Sequence, residues 1–165
     1  MPLLIDGFNL IYKFPELEGK MYRGKLNEAR KGLIEIIANY NKIKKTKVGI
    51  VFDGKRDLGD NTRQEQIMGM QIYYSHDFSA DHLIKEFIKK DANPRMTTVV
   101  TSDRELIFHL NPFKPEIIKS EDFAELVIQK LEEQNSLPEK PEKEDNPSLS
   151  QEEIGFWEKM FKKRK

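Results

Sequence analysis

Short apolar runs recur along the chain, and the stretches between them carry a different period. Residues 3–5, 48–52, 72–74 and 97–101 are brief and rich in β-branched, aliphatic or aromatic side chains, with Ile117 and Ile118 as a weaker fifth run. Near-continuous runs of that length predict strands buried on both faces, as in parallel sheets. Residues 26–40 instead place Leu33, Ile34, Ile36, Ile37 and Tyr40 at helical spacing, and residues 80–90 do the same with Leu83, Ile84, Phe87 and Ile88. A third helix is expected from near Asp103, carrying Leu106, Ile107 and Leu110 and stopped before Pro112. A fourth follows Ser120, Glu121 and Asp122 with Phe123, Leu126, Val127, Ile128 and Leu131. Strands alternating with such helices predict an α/β, doubly wound, mainly parallel sheet of four to five strands.

The pattern changes near residue 134. Residues 134–149 turn to Pro, Glu, Lys, Ser and Asn, which bury too little apolar surface to order themselves, so a flexible linker is expected there. Residues 150–165 then predict a short basic amphipathic C-terminal helix, with Glu152 and Glu153 in its first turn and Ile154, Trp157, Met160 and Phe161 as its apolar stripe. Residues 1–133 would form one domain, a size that folds on a single core.

Composition narrows the chemistry. The chain has no cysteine and three scattered histidines, which excludes disulfides and thiolate metal sites and leaves zinc poorly supplied. A catalytic metal would have to be held by oxygen. The apolar start at residues 3–5 is too short for a signal peptide and no run reaches transmembrane length, so the expected address is cytoplasmic, with no membrane partner. Formal net charge is zero, so binding a polyanion must rest on local patches rather than a global field.

Three of the predicted strands end in aspartate: Ile5-Asp6, Phe52-Asp53 and Thr101-Ser102-Asp103. In a parallel sheet the carboxyl ends lie on one edge, where ligands bind, so these side chains should converge. Asp81, in the first turn of the helix after the next strand, belongs near the same edge, with Asp77 as a rival. Two carboxylates about 4 Å apart repel by roughly 4 kcal/mol at an effective dielectric near 20, so protons or cations must compensate. With only oxygen donors, Mg²⁺ or Mn²⁺ is the natural guest, and such an ion suits in-line displacement at a phosphoryl group. Phosphodiester hydrolysis is the expectation. The plainer alternative is that each aspartate caps the next helix or opens a turn, and Asp103 can do both at once. Asn9 follows Asp6 closely, where Gly7 allows a sharp turn, and its amide can meet carboxylate, water or phosphate or brace the loop. Ser79 reads as an N-cap, and Asp57, Asp60 and Glu65 as part of a solvated loop or helix.

Taken in order, Leu4-Ile5-Asp6-Gly7-Phe8-Asn9-Leu10-Ile11, Asn27-Glu28-Ala29-Arg30, Val51-Phe52-Asp53-Gly54, Ser79-Ala80-Asp81 and Val100-Thr101-Ser102-Asp103 resemble the NYN domain in its YacP-like branch. The resemblance covers roughly the first 130 residues, and the segment from Ser148 to Lys162 is similar to the tail of that branch. It implies a PIN-like nuclease fold, a divalent-metal site of acidic residues, and endonucleolytic cleavage of single-stranded RNA, with a ribosome-linked role in mRNA decay. By position, Asp6, Asp81 and Asp103 would be the acidic site, with Asp53 contributing and Asn9 beside it. Two positions depart from the branch: the acid that commonly precedes the Ser-Ala-Asp turn and the Glu that follows its Asp are here Phe78 and His82. The departures bear on metal affinity and on the number of ions held, and leave the core acids in place.

Topology sorts the basic groups. Lys42, Lys44, Lys45 and Lys47 precede the second strand and belong to the opposite edge, whereas Lys13, Lys55, Arg56 and Arg104 follow strand ends and are the candidates for RNA phosphate contacts. Phe8, Tyr12, Phe14 and Phe78 are candidates for stacking unpaired bases, or else core. A competing class is a non-catalytic RNA- or ribosome-binding module with a degenerate site. An aspartate-based phosphotransfer protein fits poorly, because Phe8 stands two positions past Asp6 where a phosphatase needs a second aspartate. No Gly-rich phosphate loop follows the first strand.

Overall fold

The run at the start of the chain, Leu-Leu-Ile-Asp, is buried along its whole length because it forms the middle of a sheet as β1 (Leu3–Asp6). The structure, a computed structural model, describes residues 2–136. β1 is followed by α1 (Gly7–Ile11), α2 (Pro15–Tyr22), α3 (Leu26–Lys44), β2 (Val48–Phe52), β3 (Gln64–Ile67), β4 (Met70–Tyr74), α4 (Ala80–Lys90), β5 (Thr98–Val100), α5 (Arg104–Leu110), β6 (Glu116–Ile118) and α6 (Ser120–Ser136). The strand order is β3-β4-β2-β1-β5-β6, parallel throughout except for the antiparallel β3-β4 pair. The chain lays β2 and β4 on one side of β1 and then crosses to build β5 and β6 on the other, which makes the β1/β5 gap the switch point of a doubly wound sheet.

Pleat parity divides the core in two. Leu3, Ile5, Ile50, Phe52, Ile72 and Val100 face the layer of α1, α2, α3 and α6, in one cluster with Leu17, Leu33, Ile37, Phe123 and Val127. The alternate positions Leu4, Val51 and Val99 face α4 and α5, against Ala80, Ile84, Ile88, Leu106 and Leu110. Both helical layers therefore bury an apolar stripe on the same sheet, and the strongest amphipathic pattern, that of α4, lies over its smaller cluster.

The four strong runs and the weak fifth all form strands, but the sheet has six. The additional one, β3, reads Gln-Glu-Gln-Ile and is an edge strand exposed at alternate positions, so it has none of the apolar continuity that marks its neighbours. It turns into β4 through Met68 and Gly69, both at positive φ. Glu65, read as loop or helix, thus belongs to this edge. Residues 7–9 were expected to form a loop and instead open α1 directly from β1. α3 runs to Lys44 and closes with Lys45 in the left-handed conformation. α6 continues through Ser136, past the expected linker start at Gln134. The remainder of that linker and the predicted C-terminal helix lie outside the described residues. Among the described residues, no helix is long and apolar enough to cross a membrane.

Gly7 has no positive φ, so its role differs from the sharp turn its sequence position predicts. A Cβ built there would lie 2.6 Å from two ring carbons of Phe52 and 2.9 Å from the Val51 carbonyl oxygen, so only glycine lets α1 leave β1 against β2. Gly7→Ala is accordingly expected to lower stability by about 1–3 kcal/mol through overpacking. Urea denaturation checks this, and an unchanged midpoint would contradict it.

Candidate active site

Asp6 has the parity of Leu4, so its side chain leaves β1 toward the face covered by α4 and α5. Asp81, in the first turn of α4, and Asp103, the N-cap of α5, are brought to that face by the elements that follow β4 and β5. Asp53 stands one residue beyond β2, beside them. Asp6, Asp53, Asp81 and Asp103 line one cleft of about 340 Å³ together with Phe8, Asn9, Tyr12, Ser79 and Ala80. Asp77, the rival to Asp81, does not line it. Another cavity among the described residues, about 520 Å³ between the start of α3 and the β2–β3 loop, contains none of these acids.

Each aspartate holds a structural contact as well as a place in the cleft. Asp6 Oδ2 accepts a 2.9 Å hydrogen bond from the buried Thr101 hydroxyl, which ties the end of β1 to β5 across the switch point. That hydroxyl in turn accepts from the Asp103 N–H at 3.1 Å. Asp103 Oδ1 caps α5, accepting from the N–H groups of Glu105 and Leu106 at 3.0 and 3.3 Å. Asp53 Oδ1 accepts from the Ser75 hydroxyl and from the Ala80 N–H at 3.2 and 3.0 Å, pinning the start of α4 to the end of β2. Ser79 caps α4 by accepting from the His82 N–H, as its position predicts.

Electrostatics follow from this crowding. Burial is the main reason the Asp6 pKa rises to about 6, and the neighbouring Asp103 and Asp53 push it further while the Thr101 hydrogen bond opposes them. Burial also leads for Asp81, raised to about 7, and Asp103 adds to it by hydrogen bonding and by charge. Asp103 is lowered, first by the hydrogen bond from Asp81, so this pair shares a proton that Asp81 carries. Lys85, one turn along α4, favours the charged form of both carboxyls, opposing the rise at Asp81 and adding to the fall at Asp103. Among the described residues none of the four aspartates forms an ion pair with lysine or arginine.

Convergence is therefore realised as a shared cleft and not as a closed ligand shell: among the described residues no three acidic or histidine side chains are grouped so as to enclose a metal ion. The structural contacts explain this, since one oxygen each of Asp6, Asp53 and Asp103 is already committed to a hydroxyl or a helix start. The donor set nevertheless fits a hard cation. It is all oxygen, and two of its carboxyls hold protons more tightly than usual because burial and the neighbouring carboxylates disfavour their charge, which a bound cation would favour.

Asn9 braces the site. Its Oδ1 accepts from the Ser102 N–H at 2.8 Å and from the Ser120 hydroxyl at 2.6 Å, fastening α1 to the β5–α5 loop and the start of α6. Ser102 also donates to Glu121 through its hydroxyl. The basic candidates are placed unequally. Arg104 and Lys55 are exposed and Lys13 half-buried near Glu121, but Arg56 is held by Asp60 at 2.7 Å and Glu65 at 2.8 Å, which neutralise the charge expected to meet phosphate. Of the aromatic candidates Phe14 is core, Phe8 packs on Phe52, and Tyr12 and Phe78 are exposed.

Arg30 organises the site from below, a role its charge alone does not suggest. Buried at 5% exposure, it donates to the carbonyls of Arg56, Lys55 and Asp53 at 2.8, 2.9 and 3.4 Å, while Phe8, Phe52 and Tyr74 surround its guanidinium at 5.4–5.6 Å. It shapes the loop that carries Asp53. The signal was legible: Arg30 falls on the same helical stripe as Leu33, Ile34 and Ile37. Lys85, four residues after Asp81, could have been found the same way. Ser75 and Ser120 leave no such mark.

With this geometry in view, the profile of the YacP-like NYN domain matches residues 3–162 of the sequence. The chain belongs to the YacP-like NYN family. Its fold is similar to that of Rae1 (YacP) from Bacillus subtilis, with a TM-score of 0.67 and 19% identity over 99% of this chain and 91% of that one. A Trp-to-Leu mutant of the same Bacillus protein gives a TM-score of 0.62 at 19% identity, covering 88% and 89%. No curated protein matches. The YacP-like NYN fold is nuclease-like, and the six-stranded sheet with its switch point between β1 and β5 is the PIN-like arrangement.

The raised carboxyls give this NYN domain a pH-dependent stability. The folded state holds protons that the unfolded chain releases near the ordinary value of 3.8, so the associated stability is complete below about pH 4 and is lost as pH rises through about 6 for Asp6 and about 7 for Asp81. For Asp6 the loss is on the order of 3 kcal/mol. Thermal melts of metal-free protein should therefore fall between about pH 4 and 8, and Asp6→Asn should flatten that fall while keeping an acceptor for Thr101. A melting temperature that climbs across this range would contradict the assignment.

Proposed function

We propose that this chain is a metal-dependent endoribonuclease that hydrolyses phosphodiester bonds in single-stranded RNA, with messenger RNA as the substrate class and the ribosome as the associated partner that the family resemblance implies. The observation that carries the reading is the cleft itself: four aspartates from four different strand or helix ends on one edge of a nuclease-like fold, with no lysine or arginine paired to any of them among the described residues.

Asp6, Asp81 and Asp103 would hold Mg²⁺ or Mn²⁺, with Asp53 contributing. Such an ion, when bound, supplies Lewis-acid polarisation of a phosphoryl oxygen and a water of lowered pKa. The chain's own residues do the positioning. Thr101 fixes the Asp6 carboxylate, the α5 cap fixes Asp103, and Asp53 fixes the start of α4 and so the place of Asp81. Asn9 keeps the β5–α5 loop from moving relative to β1. Asp81 carries the proton it shares with Asp103 when no cation is present, and must release it to become a ligand. Lys13, Lys55 and Arg104 would meet phosphates on this edge, whereas Arg56 would first have to leave Asp60 and Glu65.

A second reading is favoured by Phe78 and His82 at positions where the branch commonly carries acids: a module that binds RNA or a ribosomal surface without cutting. Cleavage of a single-stranded RNA, alone and with ribosomes, separates the two. The endonuclease reading expects internal cuts that require Mg²⁺ or Mn²⁺, disappear with chelator, and fall by about a hundredfold or more in Asp6→Asn and Asp81→Asn. Binding without cutting under every metal condition would leave the second reading standing.

A further inference from the structure

Phe78 and His82 bracket the segment Ser79-Ala80-Asp81, whose residues line the acidic cleft. Their rings are stacked, with centroids 4.7 Å apart and planes inclined by 17°. Phe78 is 58% exposed and His82 is exposed as well, so the contact covers part of the phenyl ring and leaves the rest in water. Phe78 immediately precedes the cleft-lining Ser79, so an exposed aromatic ring stands beside the acidic cleft. The pair is also held in place. The Phe78 N–H donates to the Ser75 carbonyl at 3.1 Å, and the His82 N–H donates to the Ser79 side chain at 3.0 Å. Ser75 and Ala80 are themselves fixed to Asp53.

Local sequence accounts for the stack. Ser79 is the N-cap of α4 and His82 its third helical residue, the place where a glutamate would close a capping box. With histidine there, the serine half of the box remains and the ring is available to lie on the residue preceding the cap. Building on the RNA-cleaving reading above, we propose that the Phe78–His82 stack is a base platform: the unpaired base next to the bound phosphate lies on the exposed Phe78 ring, seating one nucleotide at the cleft and selecting single-stranded over paired RNA. Every base offers a π-face, so the platform is tolerant of sequence, and a base within a duplex cannot reach it without unstacking.

The test uses the full chain carrying Asp6→Asn and a set of short single-stranded oligoribonucleotides, each with 2-aminopurine at one position, together with matched oligonucleotides abasic at that position. One position should show fluorescence quenching on binding, and Phe78→Ala should abolish that quench and weaken affinity about tenfold. With the abasic oligonucleotide, the chains with Phe78 and with Phe78→Ala should bind equally. Phe78→Tyr should restore quench and affinity, whereas Phe78→Leu, which keeps apolar bulk without a π-face, should not. If the pair merely fastens the start of α4, Leu rescues as well as Tyr and the melting temperature alone responds, which overturns the proposal. Equal loss of affinity on intact and abasic RNA overturns it too. In either case, RNA cleavage by the unmutated chain leaves the nuclease reading standing, while absence of both cleavage and RNA binding overturns the two together.

Discussion

Pleat parity at the centre of the sheet is the constraint from which the site follows. β1 lies between β2 and β5, and because alternate residues of a strand point to opposite faces, Asp6 must leave toward α4 and α5 if Leu3 and Ile5 are to reach the larger core cluster. The same parity carries Thr101 to that face, since Val99 is buried there, and the hydrogen bond between Thr101 and Asp6 closes the switch point. A slip of one residue in β1 would bury a carboxylate under α3 and expose leucine and isoleucine to the cleft. The energy that fixes the acid is therefore the burial of its apolar neighbours, far larger than any contact the acid makes itself.

Seen this way, helix capping and metal binding are not competing explanations for the strand-end aspartates. Asp103 caps α5 with one oxygen and meets Asp81 with its carboxyl group, and Asp53 holds the start of α4 while lining the cleft. A carboxylate has two oxygens and about four lone-pair sites, so one structural contact still leaves donors for a ligand. The same contacts keep the acids from closing on one point. A site assembled in this manner keeps carboxylate oxygens facing a cleft with room for water, which suits a cation that dehydrates reluctantly.

The central strands, the helices facing them and the gathering of aspartates at one edge were legible because each rests on a periodic apolar signal. What was not legible lacks that signal. β3 is a polar edge strand whose pairing is decided by the turn at Met68 and Gly69 and by its neighbour β4. α1 and α2 are short and join the core through isolated residues such as Leu10, Ile11 and Leu17 rather than a repeated stripe. Chain position alone points Arg56 at phosphate, and only the folded β2–β3 loop and β3 bring Asp60 and Glu65 to it. Nor did sequence spacing reveal that Gly7 is needed for close approach rather than for a turn.

Arg30 shows how far the edge chemistry depends on a residue that never lines the acidic cleft. Its guanidinium sits among Phe8, Phe52 and Tyr74 and holds the carbonyls of Asp53, Lys55 and Arg56, so the start of the β2–β3 loop is fastened to α3 from beneath. Phe8 and Phe52 belong to the segments that carry Asp6 and Asp53, and Tyr74 precedes the turn that carries Ser75 and Phe78. One buried cation thus touches, through its aromatic neighbours, three of the chain segments that form the cleft. Burial disfavours its charge, and the carbonyls and ring faces replace the water it has lost. A positive charge kept on the far side of Phe8 and Phe52 does not pair with the aspartates, so the loop is held rigid without neutralising the acids it presents.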